Sequence, residues 1–343
     1  MKKKIFNIVI ISTPFIMFFV LIFKEGISSL IHQISKLNMI CLIICLMLIF
    51  LYWLFEAMAL NVITGFYNIK NKIRESFSVT MIGQYFNSLT PFATGGQPAQ
   101  VVYLHKSGID LGNATAIVTL KFFIYQTVLT IYSAFVIFVS LPLFIAKIPL
   151  LVTMSFMGLA VHASMIIFTI LFTYNRTLTE KIIKSIFKFL KKIRIVKGEE
   201  SSMKQLEKAL STFHDDAGVL RKNPKLLIKT CGLIFLQLTA FFSIPFFICL
   251  SFNIPQNYFE LFSAAVFVAT IVSIVPLPGA TGGAEGSFSL FFKDYIGNNF
   301  IITAIIVWRL VTYYLCIAFG GLYAVLPDRK SKNKEKIERR NVD

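Results

Sequence analysis

The strongest constraint on this chain is a six-residue spelling that occurs twice, each time interrupting a long apolar run. Pro91-Phe92-Ala93-Thr94-Gly95-Gly96 and Pro278-Gly279-Ala280-Thr281-Gly282-Gly283 share the pattern P-x-A-T-G-G. Proline followed closely by paired glycines breaks a helix. A broken helix at membrane depth is tolerated only where it lines a cavity or is buried in protein. Corresponding breaks in two halves of a chain point to a transporter-like site at the interface of an inverted repeat.

The apolar runs around these breaks make the bilayer the relevant solvent. Hydrophobic residues make up 56% of the 343 and charged residues only 15%, against about a quarter charged in a soluble domain. The runs are about 20 residues long without period-two alternation, which indicates helices and not a barrel. The expected fold is therefore all-α, a polytopic membrane helix bundle. The net charge of +17 sits in a few segments between apolar runs. The positive-inside rule and an anionic lipid surface account for it, and nucleic acid is not expected as a partner. Cys41, Cys45, Cys231, Cys249 and Cys316 all lie inside apolar runs. They show neither metal nor disulfide spacing, which leaves packing as their role.

Taken in order, Met1-Lys2-Lys3-Lys4 precedes an apolar run from Ile5 to Phe23. It reads as an uncleaved first span with the N-terminus in the cytoplasm. A second span covers Met39 to Val62. The stretch from Phe77 to Leu104 holds the first break and is flanked by basic residues on both sides. It reads as a re-entrant hairpin. Spans over Ala114–Leu141 and Pro149–Tyr174 follow, joined by an outer loop at Pro142–Ile148. Residues 176–225 carry 13 Lys/Arg against 6 Asp/Glu, a cytoplasmic signature. Thr179–Lys197 there reads as a basic amphipathic helix, either lying on the headgroups or packed on a second amphipathic helix, Ser201–Leu220. Asn223-Pro224 is a cap followed by a first-turn proline, opening a span to Phe252. Tyr258 to Ile296 holds the second break, and the last span covers Phe300–Leu326. The expected organisation is a membrane domain over 1–326, with halves of about 1–175 and 224–326 joined by a cytoplasmic linker, 176–223. A basic cytoplasmic tail follows at 327–343. With both termini inside, the number of full crossings is even. Six spans plus two hairpins entering from opposite faces satisfy this, as an inverted repeat requires; a hydropathy count alone gives eight spans.

New half-helices are expected at about Gln97 and Ala284. Helix N-termini favour anions, so Thr94, Gly95, Gly96 and Gln97 in one half, and Thr281, Gly282 and Gly283 in the other, are candidates to bind a headgroup phosphate. The same glycines also suit close helix packing. Charges inside apolar runs are costly and hence informative. Four stand out: Glu56, Lys121, Glu285 and Arg309. Lys121 follows Thr94 by 27 positions and Arg309 follows Thr281 by 28. Each half thus has a base in the span after its break, placed to neutralise a lipid phosphate. Glu285 can pair with Arg309 or meet a cationic headgroup amine. Glu56 can do the same or sit near the cytoplasmic interface. Gln84, Asn87 and Gln100 supply neutral hydrogen-bonding groups around the first break, and His162 reads as a packing residue. No catalytic constellation, metal-ligand cluster or cofactor motif is found.

Asn87-Ser88-Leu89-Thr90-Pro91-Phe92-Ala93-Thr94-Gly95-Gly96-Gln97-Pro98 and Pro276-Leu277-Pro278-Gly279-Ala280-Thr281-Gly282-Gly283-Ala284-Glu285-Gly286 resemble the membrane domain of lysylphosphatidylglycerol synthase, the multiple peptide resistance factor, also called the flippase-like domain family. The resemblance covers nearly the whole chain. It implies a bacterial-type cell-membrane protein whose partner is membrane phospholipid with anionic headgroups. It also implies translocation of aminoacylated phosphatidylglycerol made by a separate aminoacyl-lipid synthase, because the C-terminal transferase domain of longer members has no counterpart before Asp343. Members often carry an acid and an arginine after the first Gly-Gly, where this chain has Gln97 and Gln100. Alternatives are a phosphatidylglycerol lysyltransferase, as the family name implies, a secondary transporter of a small anion or amino acid, and a non-transporting partner of an envelope enzyme. Oligomeric state is left open.

Overall fold

In a computed structural model of the chain, residues 2–67, 69, 71–174 and 223–325 are described. The expected linker helices and basic tail lie outside them. The described residues are helical, with no strand among them. Among the described residues, five helices are long and apolar enough to cross a membrane. They are α3 (Met39–Phe66), α6 (Leu111–Phe144), α7 (Pro149–Tyr174), α8 (Pro224–Ser251) and the run Ile301–Val325, which comprises α11 (Ile301–Arg309), a π-helical turn and α12 (Leu315–Val325). The N-terminal pair, α1 (Lys2–Glu25) and α2 (Ile27–Ser35), bends by 85° and makes up to a sixth crossing. The chain is a polytopic helical membrane bundle.

Both breaks fold into helix–turn–helix hairpins. In the first, α4 (Ile73–Leu89) ends ahead of a 3-10 turn at Pro91–Ala93, and α5 (Gly96–Lys106) leaves it. In the second, α9 (Tyr258–Val272) precedes a turn at Pro278–Ala280 and α10 (Gly283–Ile296) follows. The arms have 17, 11, 15 and 14 residues. At 1.5 Å per residue they rise only about 16–26 Å, short of the roughly 30 Å hydrocarbon core. Within each hairpin the arms pack on each other, and the two turns touch at their tips. The base of the second hairpin is tied by Gln256 donating to the Tyr295 carbonyl (2.7 Å) and by the Tyr295 hydroxyl donating to Glu260 (3.0 Å).

The repeated spelling gives a repeated backbone. The second and third residues of each turn are left-handed: Phe92 and Ala93 at φ 54° and 51°, Gly279 and Ala280 at 59° and 50°. In each turn the threonine hydroxyl donates back to the proline carbonyl, Thr94 to Pro91 (3.0 Å) and Thr281 to Pro278 (2.7 Å). The half-helices start on the second glycine of each pair, one residue earlier than expected.

The long helices hold these hairpins. Asn38 caps α3 by accepting from the Ile40 amide (3.0 Å). Cys45, Ile49, Trp53, Ala57 and Leu60 form a buried stripe along α3 at helical spacing. α3 makes its most extensive packing with α8, where the Cys45 thiol reaches the Ile244 carbonyl. All five cysteines are free, and four are buried. Across the bundle α4 lies on α12, and α9 lies on α6 and α7. The α4–α12 contact needs Gly320, because a Cβ there would come within 2.5 Å of the Met81 carbonyl.

Three local expectations are corrected. The first span does not end the N-terminal helical region: Gly26, at φ 82°, turns the chain into α2. There Gln33 bonds Glu25 (2.6 Å) and accepts from Thr303 of α11 (2.7 Å). Pro142 lies in the last turn of α6 and not in a loop. Pro224 does occupy the first turn of α8, but the Asn223 side chain makes no capping bond.

Gly279 exposes a difference between the turns. A Cβ there would lie 2.4 Å from the Tyr313 ring, whereas Phe92 takes the matching position half-exposed. Gly279→Ala is expected to destabilise the protein by about 1–3 kcal/mol through left-handed strain and overpacking. The thermal midpoint in detergent reads this, and adding Tyr313→Ala should restore the overpacking part. A parental midpoint for Gly279→Ala would contradict the contact.

Candidate functional site

A cavity of about 770 Å³ opens where the hairpin tips meet, with walls from both halves. From the first break Phe92, Ala93, Thr94, Gly96 and Gln97 line it; from the second, Leu277, Gly279 and Ala280 do. Glu56, Gln84, Asn87, Gln100, Lys121 and Arg309 also face it. Gly95, Thr281, Gly282, Gly283 and Glu285 do not line it. The first Gly-Gly reaches the cavity through Gly96, and the second turn reaches it through Gly279 instead of its glycine pair.

The four charges in apolar sequence are buried and stand as two ion pairs. Lys121 on α6 places Nζ 2.7 Å from Glu56 Oε1 of α3 and 3.0 Å from Gln100 Oε1 of α5. Glu56 Oε2 also accepts from Gln84 (2.5 Å) and from Gln237 of α8 (3.5 Å). The Gln84 amide is shared with the Tyr52 hydroxyl (3.3 Å). In the other half Arg309 Nε donates to Glu285 Oε1 at 2.7 Å, and an Arg309 terminal nitrogen donates to the Gly279 carbonyl at 2.9 Å. The guanidinium lies 5.1 Å from the Trp308 ring and 5.4 Å from the Tyr313 ring, within cation–π range. A lone charge at this depth is costly, and pairing with further hydrogen bonds offsets that cost.

Of the two readings of Glu285, the structure shows the pairing with Arg309, and Glu56 pairs with Lys121 in the same way. Each base already holds a carboxylate. The acids come from different places: Glu285 follows the second break, whereas Glu56 belongs to α3, the helix before the first hairpin. The exposed helix starts are corrected. The Gly95 amide donates to Thr90 Oγ1 and the Gly96 amide to Asn87 Oδ1, both at 2.8 Å. The Gly282 amide donates to Glu285 Oε2 at 2.7 Å. Side chains of the protein cap these positions, much as in a capping box. Glu285 thus joins the start of α10 to Arg309.

Several wall residues were passed over in the sequence. Gln126 and Gln237 are amides inside the apolar spans α6 and α8, a signal of the same kind as Gln84 and Gln100. His162 packs as expected, with Nδ1 2.6 Å from Gln126 Nε2, yet it also faces the cavity. Tyr313, in the π turn Leu310–Tyr314 that follows Arg309, joins the halves by donating to the Ser88 carbonyl (2.9 Å). π turns of this kind concentrate at functional sites. Among the described residues no group of three or more His, Cys, Asp or Glu side chains is placed to hold a metal.

Removing one partner of a buried pair strands the other. Lys121→Ala should therefore cost about 3–5 kcal/mol of stability. The double variant Lys121→Ala/Glu56→Gln should recover much of that loss. Unfolding in a denaturing detergent titration measures both, and a stable single variant would contradict the pairing.

The comparisons with known proteins agree with this architecture. The chain is 24% identical over 324 residues to a UPF0104 membrane protein of Archaeoglobus fulgidus, covering 92% of this chain and 96% of that protein. A UPF0104 membrane protein of Methanothermobacter thermautotrophicus is 25% identical over 280 residues, covering 77% and 78% respectively. The family model of the lysylphosphatidylglycerol synthase TM region matches residues 5–320, and the chain belongs to that family.

Proposed function

We propose that this protein carries phospholipid headgroups between the leaflets of the cell membrane, with (aminoacyl-)phosphatidylglycerol or a similar phospholipid as cargo. The observation that carries the reading is the convergence of both hairpin tips, the Lys121–Glu56 pair and Arg309 of the second pair on one cavity between the halves. A headgroup that enters there exchanges one set of partners for another. Its phosphate replaces a carboxylate at Lys121 or Arg309, and an amine replaces a cation at Glu56. Where both exchanges occur together at the Lys121–Glu56 pair, as an aminoacylated headgroup allows, the buried charges stay paired; phosphate at one base alone leaves the displaced carboxylate without a cation. The acyl chains stay in lipid. One half rocking on the other would present the cavity to each leaflet in turn, and the Tyr313–Ser88 bond between halves would open and re-form. The basic linker and tail place both termini in the cytoplasm under this reading. A separate synthase supplies the aminoacylated lipid.

The test is reconstitution into vesicles containing headgroup-labelled phosphatidylglycerol, with an impermeant reductant added outside. The protein is expected to expose inner-leaflet label. Arg309→Ala should slow this at least tenfold, and Arg309→Lys, which keeps the charge, should slow it less. Label that stays protected with the parent protein would refute the proposal. Lysyl-lipid formed from lysyl-tRNA by the purified chain would favour the transferase reading instead.

A further inference from the structure

We infer that the cavity wall built by α6, α7 and α8 is a hydroxyl-recognising subsite, which selects a polyol or sugar headgroup; this rests on the lipid-carrying reading. Four residues form it: Gln126, Ser133, His162 and Gln237. All four are buried and all face the cavity. Gln126 and Ser133 are seven residues apart on α6, two turns along one face. Tyr132 and Thr239, one and two positions from Ser133 and Gln237, join α6 to α8 through their hydroxyls at 3.0 Å.

The chemistry follows from what is already committed. The charges are taken up by the two ion pairs, so the wall residues do not select on net charge. Ser133 Oγ and Gln237 Oε1 are buried and have no hydrogen-bond partner among the described residues. Each such atom costs about 1–3 kcal/mol unless a ligand or water supplies a partner. Gln237 Oε1 is an acceptor and needs a donor. A phosphodiester oxygen and a quaternary amine carry no donor. A primary ammonium donates but cannot accept, so it matches the Gln237 acceptor and leaves the imidazole N–H without an acceptor. A hydroxyl both donates and accepts, which suits the carboxamide, the serine hydroxyl and the imidazole together. With Gln126 Nε2 donating to His162 Nδ1 at 2.6 Å, the imidazole proton is on Nε2, a further donor beside the Gln126 acceptor oxygen.

The chain has two tryptophans. Trp308 lines the cavity and Trp53 does not, so Trp53→Phe leaves a single reporter at the site. The full chain with that change, in phosphatidylcholine nanodiscs, is titrated with short-chain phosphatidylinositol, phosphatidylglycerol, phosphatidylethanolamine and phosphatidic acid, and with free inositol. Phosphatidylinositol and phosphatidylglycerol should shift Trp308 emission at concentrations at least tenfold below those needed for phosphatidic acid or phosphatidylethanolamine. Ser133→Ala removes an unpartnered hydroxyl, so its thermal midpoint should not fall, yet the preference should shrink at least threefold. Gln126→Leu should shrink it further. Equal affinity across the four lipids, or a preference untouched by Ser133→Ala, would overturn the inference while leaving translocation intact. Free inositol binding as tightly as phosphatidylinositol would keep hydroxyl recognition, assign it to a soluble polyol and count against the lipid-carrying reading.

Discussion

Ionised side chains inside a bilayer must be paired, and the centre of this molecule is organised by that requirement. Lys121 and Arg309 each reach a carboxylate at 2.7 Å. Each then holds a second group that belongs to a hairpin, Gln100 in the first half and the Gly279 carbonyl in the second. The pairs therefore do two things at once. They neutralise charge, and they fix the broken helices against the long spans. Under the proposed function, a headgroup that displaced either carboxylate would disturb a base that also holds a hairpin arm or a turn, coupling capture to movement of the elements that wall the cavity.

The halves use the same backbone with different chemistry. Both turns put their second and third residues in the left-handed region. Phenylalanine takes the strained second position in the first turn, where its side chain is half-exposed at the cavity. Glycine takes it in the second, because the Tyr313 ring covers that face. The first half-helix start is capped from the preceding arm by Asn87 and Thr90, the second from within by Glu285. The cavity is lined at the first break by Asn87, Thr94 and Gln97 and at the second by Leu277, Gly279 and Ala280.

Much of this was legible in the sequence because it is local. Proline and paired glycine mark the breaks, basic flanks mark the hairpins, and hydropathy marks the spans. Isolated charges in apolar runs identified all four members of the ion pairs. The Glu285–Arg309 pairing was among the readings of the sequence; the Glu56–Lys121 pairing was not legible. Glu56 and Lys121 are 65 residues apart, and only the packing of α3 on α6 brings them together. The same holds for the α1–α2 bend, where one glycine outweighs an apolar run, and for the π turn after Arg309, which has no composition signal. Treating half-helix N-termini as open anion sites overlooked that nearby side chains, Asn87 and Glu285, satisfy them first.

The most direct test is an experimental density map of the protein in nanodiscs rich in phosphatidylglycerol. The account predicts Lys121 beside Glu56, Arg309 beside Glu285 and both hairpin tips in contact. It also predicts headgroup density in the cavity between them, with acyl chains leading out to lipid. A map in which the two turns are separated by packed protein, each with its own ion pair and no shared cavity, would contradict it.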